Sequence, residues 1–273
     1  MILPEDPFRR IKMKKYIAFS LLWISSVALG QAGTTMEAKD AKELQPIMAP
    51  SDKKAFEVFT GFGGRNSSWY SYAGTVYAFN GDINSSGWIG RAQIGGGQYS
   101  YQSQAIQGKV RGTLFDAYLD GGYKQYFDQD WSLTGYVGAH YRDRSLNVVD
   151  PLSNVTSSDK VGAHVGLEFN GLADSFYFNG IGQYSTVENS VWSRLRVGYD
   201  FCSANVIVGP EGLYLRDTNY NEYRGGAFVT VQLNELISLS LSGGYANYQD
   251  NFSGSAKTSN SSPYGDVGLS FSF

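Results

Sequence analysis

The chain has 273 residues, with 22 Lys/Arg against 25 Asp/Glu and a formal net charge of −3. Charged residues make up only 17% of it, while Gly (33) and Tyr (20) are abundant and Cys occurs once. A slightly negative mean hydropathy excludes a polytopic helical membrane protein, and the acidic balance excludes a general electrostatic affinity for nucleic acid.

At the N-terminus Lys12, Lys14 and Lys15 precede an apolar stretch from Tyr16 to Leu29, followed by Gly30, Gln31, Ala32 and Gly33. That order predicts a secretory signal peptide over residues 1–32, with cleavage after Gly30 or Ala32 equally compatible. Met13 is the expected true start, because residues 1–12 only lengthen the basic region and contain Pro4 and Pro7. The apolar stretch is shorter than the roughly 20 residues a spanning helix needs, which weighs against a membrane anchor. Removing residues 1–30 takes five of the 22 Lys/Arg and two of the 25 Asp/Glu, leaving a net charge of −6. Lone Cys202 permits no internal disulfide and carries no metal-ligand spacing.

Residues 33–54 are polar, with Glu37, Lys39, Asp40, Lys42 and Glu43 before Pro46 and Pro50, and are expected to be a periplasmic lead-in. From Ala55 the period becomes two. At the C-terminus Val267, Leu269, Phe271 and Phe273 alternate with Asp266, Gly268, Ser270 and Ser272, so the two sets point to opposite faces of a strand. Ile237, Leu239 and Leu241 alternate with serines in the same way. Twelve such runs are expected, near 55–63, 68–79, 87–101, 109–127, 131–143, 159–170, 174–185, 189–201, 204–216, 220–233, 235–248 and 263–273. Several reach the roughly 9–11 residues that cross a bilayer obliquely.

The connections alternate between tight turns, such as Gly171–Asp174 and Cys202–Ser203, and polar segments such as Arg144–Ser158 and Gln249–Ser262. Short periplasmic turns with longer outer loops are the asymmetry of an outer-membrane barrel. Aromatic residues gather at the expected inner ends (Trp88, Phe127, Trp131, Phe176, Phe201, Phe273) and outer ends (Trp69, Tyr99, Tyr184, Trp192, Tyr220, Tyr248), as two interfacial girdles require. The reading is an all-β chain: an antiparallel, up-and-down transmembrane β-barrel of about twelve strands over residues 55–273. A periplasmic sandwich or a soluble lipid-binding barrel is the competing reading.

With apolar residues facing lipid, the alternate set faces the lumen, including Asp116, Asp120, His140, Arg142, His164, Glu168, Asp266 and the cluster Arg194, Arg196, Glu211 and Arg224. On the lipid face an Arg or Lys would cost about 2–4 kcal/mol near the midplane. These charges are expected to pair and stiffen the barrel, with a basic ladder for an anionic or sugar ligand as the sharper alternative. Pro210 interrupts a strand, predicting a bulge or bend that aims Glu211 at Arg194 or Arg196. His140 and His164 lie on neighbouring strands, but two histidines with Glu168 make a poor metal site. No nucleophilic serine shares the face of His140 nearby in sequence, since Ser145 has the wrong strand parity, and no dinucleotide or Walker motif is present. No catalytic residue, cofactor or metal is expected.

Several segments, in this order and spacing, resemble the cellulose biosynthesis protein BcsS family. They are Trp69-Tyr70-x-Tyr72-Ala73-Gly74-x-Val76-Tyr77-Ala78-x-Asn80-Gly81-Asp82, Gly135-Tyr136-Val137-Gly138, Asp150-Pro151, Tyr184-Ser185-Thr186, Arg194-x-Arg196-Val197-Gly198, Gly209-Pro210-Glu211-Gly212 and Arg224-x-Gly226-Ala227-Phe228. The resemblance implies a role in cellulose or exopolysaccharide production at the outer membrane, with no catalytic step to transfer. The expected function is therefore that of a non-enzymatic barrel accessory, meeting outer-membrane lipid, the barrel-assembly machinery, and cellulose or its synthase and export complex. Tyr99, Tyr101, Tyr220 and Tyr223 near the outer rim are candidate platforms for glucan, and Phe273 is a candidate assembly signal. A narrow saccharide channel and a barrel hydrolase are the alternatives.

Overall fold

A computed structural model describes residues 53–103, 105–128, 130–151, 156–250 and 258–273. The expected signal peptide, the lead-in up to Asp52 and the segment 251–257 lie outside the described residues. Twelve strands run in sequence: β1 (Phe56–Arg65), β2 (Ser68–Ala78), β3 (Gly87–Ser103), β4 (Gly108–Tyr126), β5 (Trp131–Leu146), β6 (Ser158–Ala173), β7 (Phe176–Ser185), β8 (Ser190–Phe201), β9 (Val206–Arg216), β10 (Tyr220–Gln232), β11 (Ile237–Asp250) and β12 (Thr258–Ser272). Each pairs antiparallel with its sequence neighbours, and β1 pairs with β12 to close the barrel. Closure leaves no unpaired edge, the condition for β-structure in hydrocarbon.

The seam lies at the chain's end. Phe273 N–H donates to the Phe56 carbonyl at 2.8 Å, and Phe56 N–H donates back to Phe273 at 3.0 Å. The pleat then sorts side chains by parity. Leu119, Val137, Val161, Leu167, Leu195 and Tyr245 are exposed on the outside. Asp116, Asp120, His140, His164, Arg196 and Glu211 are buried on the inside. An apolar exterior around a charged interior inverts a soluble barrel and suits a lipid surround.

Around the end that holds Phe56 and Phe273, the exterior carries Phe79, Trp88, Phe127, Phe176 and Phe201. This is the inner aromatic belt the sequence predicted. The outer belt differs. Trp69 and Tyr184 face outward, but Tyr99, Trp192, Tyr220 and Tyr248 have inward parity, and Tyr223 and Tyr245 are exposed instead. Amphipathic tyrosine tolerates either wall, so strand-end position alone did not decide its face.

Three connections also differ from expectation. The polar ends of β3 and β4 remain paired through Ser103↔Gly108, whereas the pairing of β3 with β2 ends at Tyr99↔Ser68. β5 likewise runs to Leu146, and β12 begins at Thr258. Strands that rise past their neighbours are wetted on their outer face, so polar residues there do not mark a loop.

Pro210 does not introduce a bulge. The ladder between β8 and β9 lapses between Arg196↔Glu211 and Tyr199↔Val208, then resumes in the same register, so no residue is inserted. Pro210 lacks the N–H such a pair requires, and the strands stay close because Gly209 is small: a Cβ there would lie 1.9 Å from the Val197 carbonyl oxygen. Gly95 makes room for the Tyr70 side chain, since a Cβ there would meet the Tyr70 hydroxyl at 2.0 Å.

Candidate functional site

The lumen is crossed by polar contacts between strands that are not neighbours. On one wall Arg196 and Glu211 are direct Cα partners, with Arg196 Nε 2.5 Å from Glu211 Oε2. Tyr264 of β12 donates its hydroxyl to Glu211 Oε1 at 3.3 Å, and Arg196 Nη1 donates to Ser240 Oγ of β11 at 3.0 Å. β8 is thus tied to β11 and β9 to β12 through the interior. Arg196 also lies over the Phe228 ring, 4.8 Å from its centroid.

The other predicted cluster members are placed differently. Arg194 does not bond Glu211; its Nη2 donates to Asn179 Oδ1 at 3.4 Å, and its guanidinium lies 5.7 Å from the Trp192 centroid. Arg224 pairs with Glu222, its neighbour on the same face, and reaches Asp266 at 3.4 Å. Glu222 also holds Arg65 of β1 at 3.4 Å. The four residues grouped from the sequence occupy three separate settings.

Nearer the far end, Asp116 Oδ1 accepts from Arg142 Nε at 2.6 Å, and Arg142 continues to Glu188 at 3.1 Å. Glu188 also accepts from Arg144 at 2.5 Å and Lys160 at 3.3 Å, and Arg144 lies 3.7 Å from Asp217. Glu188 sits in the β7–β8 turn at φ 56°, a left-handed conformation that costs a non-glycine residue strain. Its carbonyl accepts the Thr218 N–H at 3.0 Å and the Thr218 hydroxyl at 2.7 Å. A charge in a predicted turn gave no parity signal, so sequence reasoning missed Glu188 as the meeting point of three cations.

Burial alone would raise the Glu188 carboxyl, but Arg144 and Arg142 beside it outweigh that, and it titrates below the usual 4.5. Asp217 goes the other way. Burial dominates there and pushes it above the usual 3.8, despite the Asn219 N–H it accepts and the nearby Arg144.

The rim tyrosines divide. Tyr101, 5% exposed, packs with Val110 and Leu146 in an interior apolar cluster that Tyr99 and Tyr220 join. Tyr220 comes from β10, opposite β4 in a barrel of twelve strands, so this cluster bridges the mouth. Tyr223 alone of the four faces outward, 56% exposed and 4.8 Å from Tyr214 between ring centroids.

His140 and His164 do not share a ligand. The Tyr118 ring lies against both, at 4.2 and 4.9 Å, while His164 Nδ1 meets Asp120 at 2.8 Å. His140 Nε2 lies 2.9 Å from Asp116 Oδ1, and its Nδ1 lies 2.7 Å from Ser185 Oγ. A serine on the face of His140 therefore exists, two strands away on β7, where sequence proximity could not show it. A proton on Nε2 satisfies both contacts and makes Ser185 the donor to Nδ1. Yet Ser185 Oγ also accepts the Val187 N–H at 3.1 Å, and His140 is wholly buried. The trio has triad-like hydrogen bonds, but both Ser185 and His140 are buried in the wall of the lumen.

A closed twelve-stranded antiparallel barrel with an apolar wall and an ion-paired interior defines a β-barrel membrane protein of the outer-membrane type. Residues 58–273 match the model of the family described as cellulose biosynthesis protein BcsS, and the chain belongs to that family. No curated protein matches the chain. Among solved structures it is similar to the translocator domain of the autotransporter NalP from Neisseria meningitidis, with 11% identity over 97% of this chain and 98% of that one (TM-score 0.46). It is also similar to the β domain of the Bordetella autotransporter BrkA, with 14% identity over 81% and 100% (TM-score 0.48). The KdgM porin shows 10% identity over 80% and 99% (TM-score 0.43).

Proposed function

We propose that this protein resides in the outer membrane and serves cellulose production as a non-enzymatic accessory that anchors or guides the emerging glucan. Family membership over residues 58–273 supports the link to cellulose. The apolar wall supports the membrane location. The observation that carries the choice of an anchor over a channel is the crossing of the lumen: Tyr220 packs against the cluster of Tyr101, Val110 and Leu146 from the opposite wall, and Arg65, Arg142 and Arg144 each bind a carboxylate from another part of the barrel. Such a lumen stiffens a platform. Surface-presented groups would then meet the uncharged glucan or its synthase and export complex, with Tyr223 and Tyr214 as the outward aromatic pair.

The test is a deletion strain scored for cellulose-dye binding and complemented with variants. Loss of surface cellulose, restored by wild type and weakened by Tyr223→Ala, supports the reading. A deletion that leaves dye binding unchanged overturns it. Purified barrel in planar bilayers addresses the channel alternative: stable unitary conductance would favour a saccharide pore over an anchor.

A further inference from the structure

We propose that the lumen contains an oxyanion-binding site centred on Arg194. The two guanidiniums on the inner face of β8, Arg194 and Arg196, are two residues apart and so point the same way. Glu211 is the single carboxylate bound between them and the next strand, and it is held by Arg196 at 2.5 Å. Asp266, on β12, is bound to Arg224. Among the described residues no carboxylate oxygen lies within ion-pair distance of Arg194, and its Nε, shielded from solvent, has no hydrogen-bond partner.

A part-buried guanidinium whose shielded Nε lacks a partner is uncommon, because withdrawing that charge from water without a bound counter-charge is unfavourable. Its surroundings suit a ligand rather than an internal partner. Trp192 offers a ring beside the cation, the Asn179 side-chain oxygen steadies one guanidinium nitrogen, and the Arg fork can bind a carboxylate or phosphate through two parallel bonds. The other lumen arginines of this wall are already neutralised, so the basic ladder expected from sequence reduces to one available rung. The ligand chemistry is a mono- or dianionic oxyanion, carried either by an acidic sugar or by free phosphate. Cellulose itself is uncharged, so this site is separate from any glucan platform and does not depend on it.

The test uses the folded full-length barrel in detergent, titrated calorimetrically at constant ionic strength with sodium glucuronate, sodium phosphate and glucose. Saturable binding of either anion, absent for glucose, is expected. Arg194→Gln should weaken it at least about tenfold, and exposed Lys109→Gln should leave it unchanged. Tighter glucuronate binding identifies a sugar acid as the source, and tighter phosphate binding identifies the free ion; both support the site. Heat-modifiable mobility reports folding of each variant. Should Arg194→Gln fail to fold, Arg194→Lys retains a charge but loses the fork, and weakened binding there is expected. Absence of saturable binding by both anions, or equal binding by wild type and the folded variants, overturns the proposal.

Discussion

Arg196 and Glu211 face each other across β8 and β9 as direct Cα partners, joined by a bond of 2.5 Å inside the barrel. The pair is braced from two further strands by Ser240 and Tyr264. A buried ion pair is weak evidence for stability as a unit, because desolvation offsets attraction. Removing one partner, by contrast, strands a charge and costs about 3–5 kcal/mol.

Glu211→Gln should therefore lower the urea midpoint of the folded barrel markedly, and Arg196→Met should do so less, because Tyr264 still bonds the remaining carboxylate. The double variant Arg196→Met/Glu211→Gln should recover part of the loss. Gel mobility against urea concentration measures all three. Additive losses in the double variant would show that the two residues do not act as a pair.

The period-two alternation revealed twelve strands, and the even count placed both ends together. Parity assigned Arg194, Arg196, Glu211 and Arg224 to the lumen, since a lipid-facing charge is costly. It could not say which inward residue meets which, because contacts such as Arg65 with Glu222 join β1 to β10 across the interior. Side-chain reach, not sequence spacing, governs those. The same limit hid Ser185 behind His140 and made Tyr101 look like a rim aromatic when it fills the interior. Glu188 was invisible for a different reason: its role comes from a left-handed turn that folds its carboxylate back over the mouth.

At the far mouth the two shifted carboxyls make opposite contributions. Glu188, held below its usual 4.5, adds stability that is fully present above that value and is lost as pH falls through its lowered folded value. Asp217, raised by burial above 3.8, opposes folding once pH rises past its elevated folded value. Glu188→Gln should thus destabilise the barrel at neutral pH and flatten the acid limb of its urea-midpoint profile. Asp217→Asn should stabilise it at neutral pH while preserving an acceptor for the Asn219 N–H. A profile that Glu188→Gln leaves unchanged below pH 5 would refute the clamp.

Ser185, His140 and Asp116 invite a chemical test because their hydrogen bonds mimic a nucleophile, a base and an orienting acid. Asp116 is also claimed by Arg142 at 2.6 Å, and the serine oxygen by Val187 N–H. Both contacts fit a structural brace. A fluorophosphonate probe should leave the folded protein unlabelled, and His140→Ala should lower stability by about 1–3 kcal/mol through the unsatisfied groups it leaves, without abolishing cellulose-dye binding. Labelling of wild type that disappears in Ser185→Ala would instead favour the hydrolase reading.

Phe273 carries two separable roles at the seam. Its backbone exchanges two hydrogen bonds with Phe56, while its ring lies on the outward parity, about half exposed at the inner belt. We propose that the ring is the assembly signal and the backbone the clasp. Deleting Phe273 removes both, so Phe273→Ala is the informative change: it keeps the two backbone bonds and loses only the ring. Export should proceed, but the variant should accumulate unassembled, without heat-modifiable mobility. The seam bonds alone contribute only about 0.5–1.5 kcal/mol each, too little to explain complete failure to assemble. Normal heat-modifiable assembly of Phe273→Ala would refute a signalling role for the ring, and a defect confined to the deletion would assign the effect to the clasp.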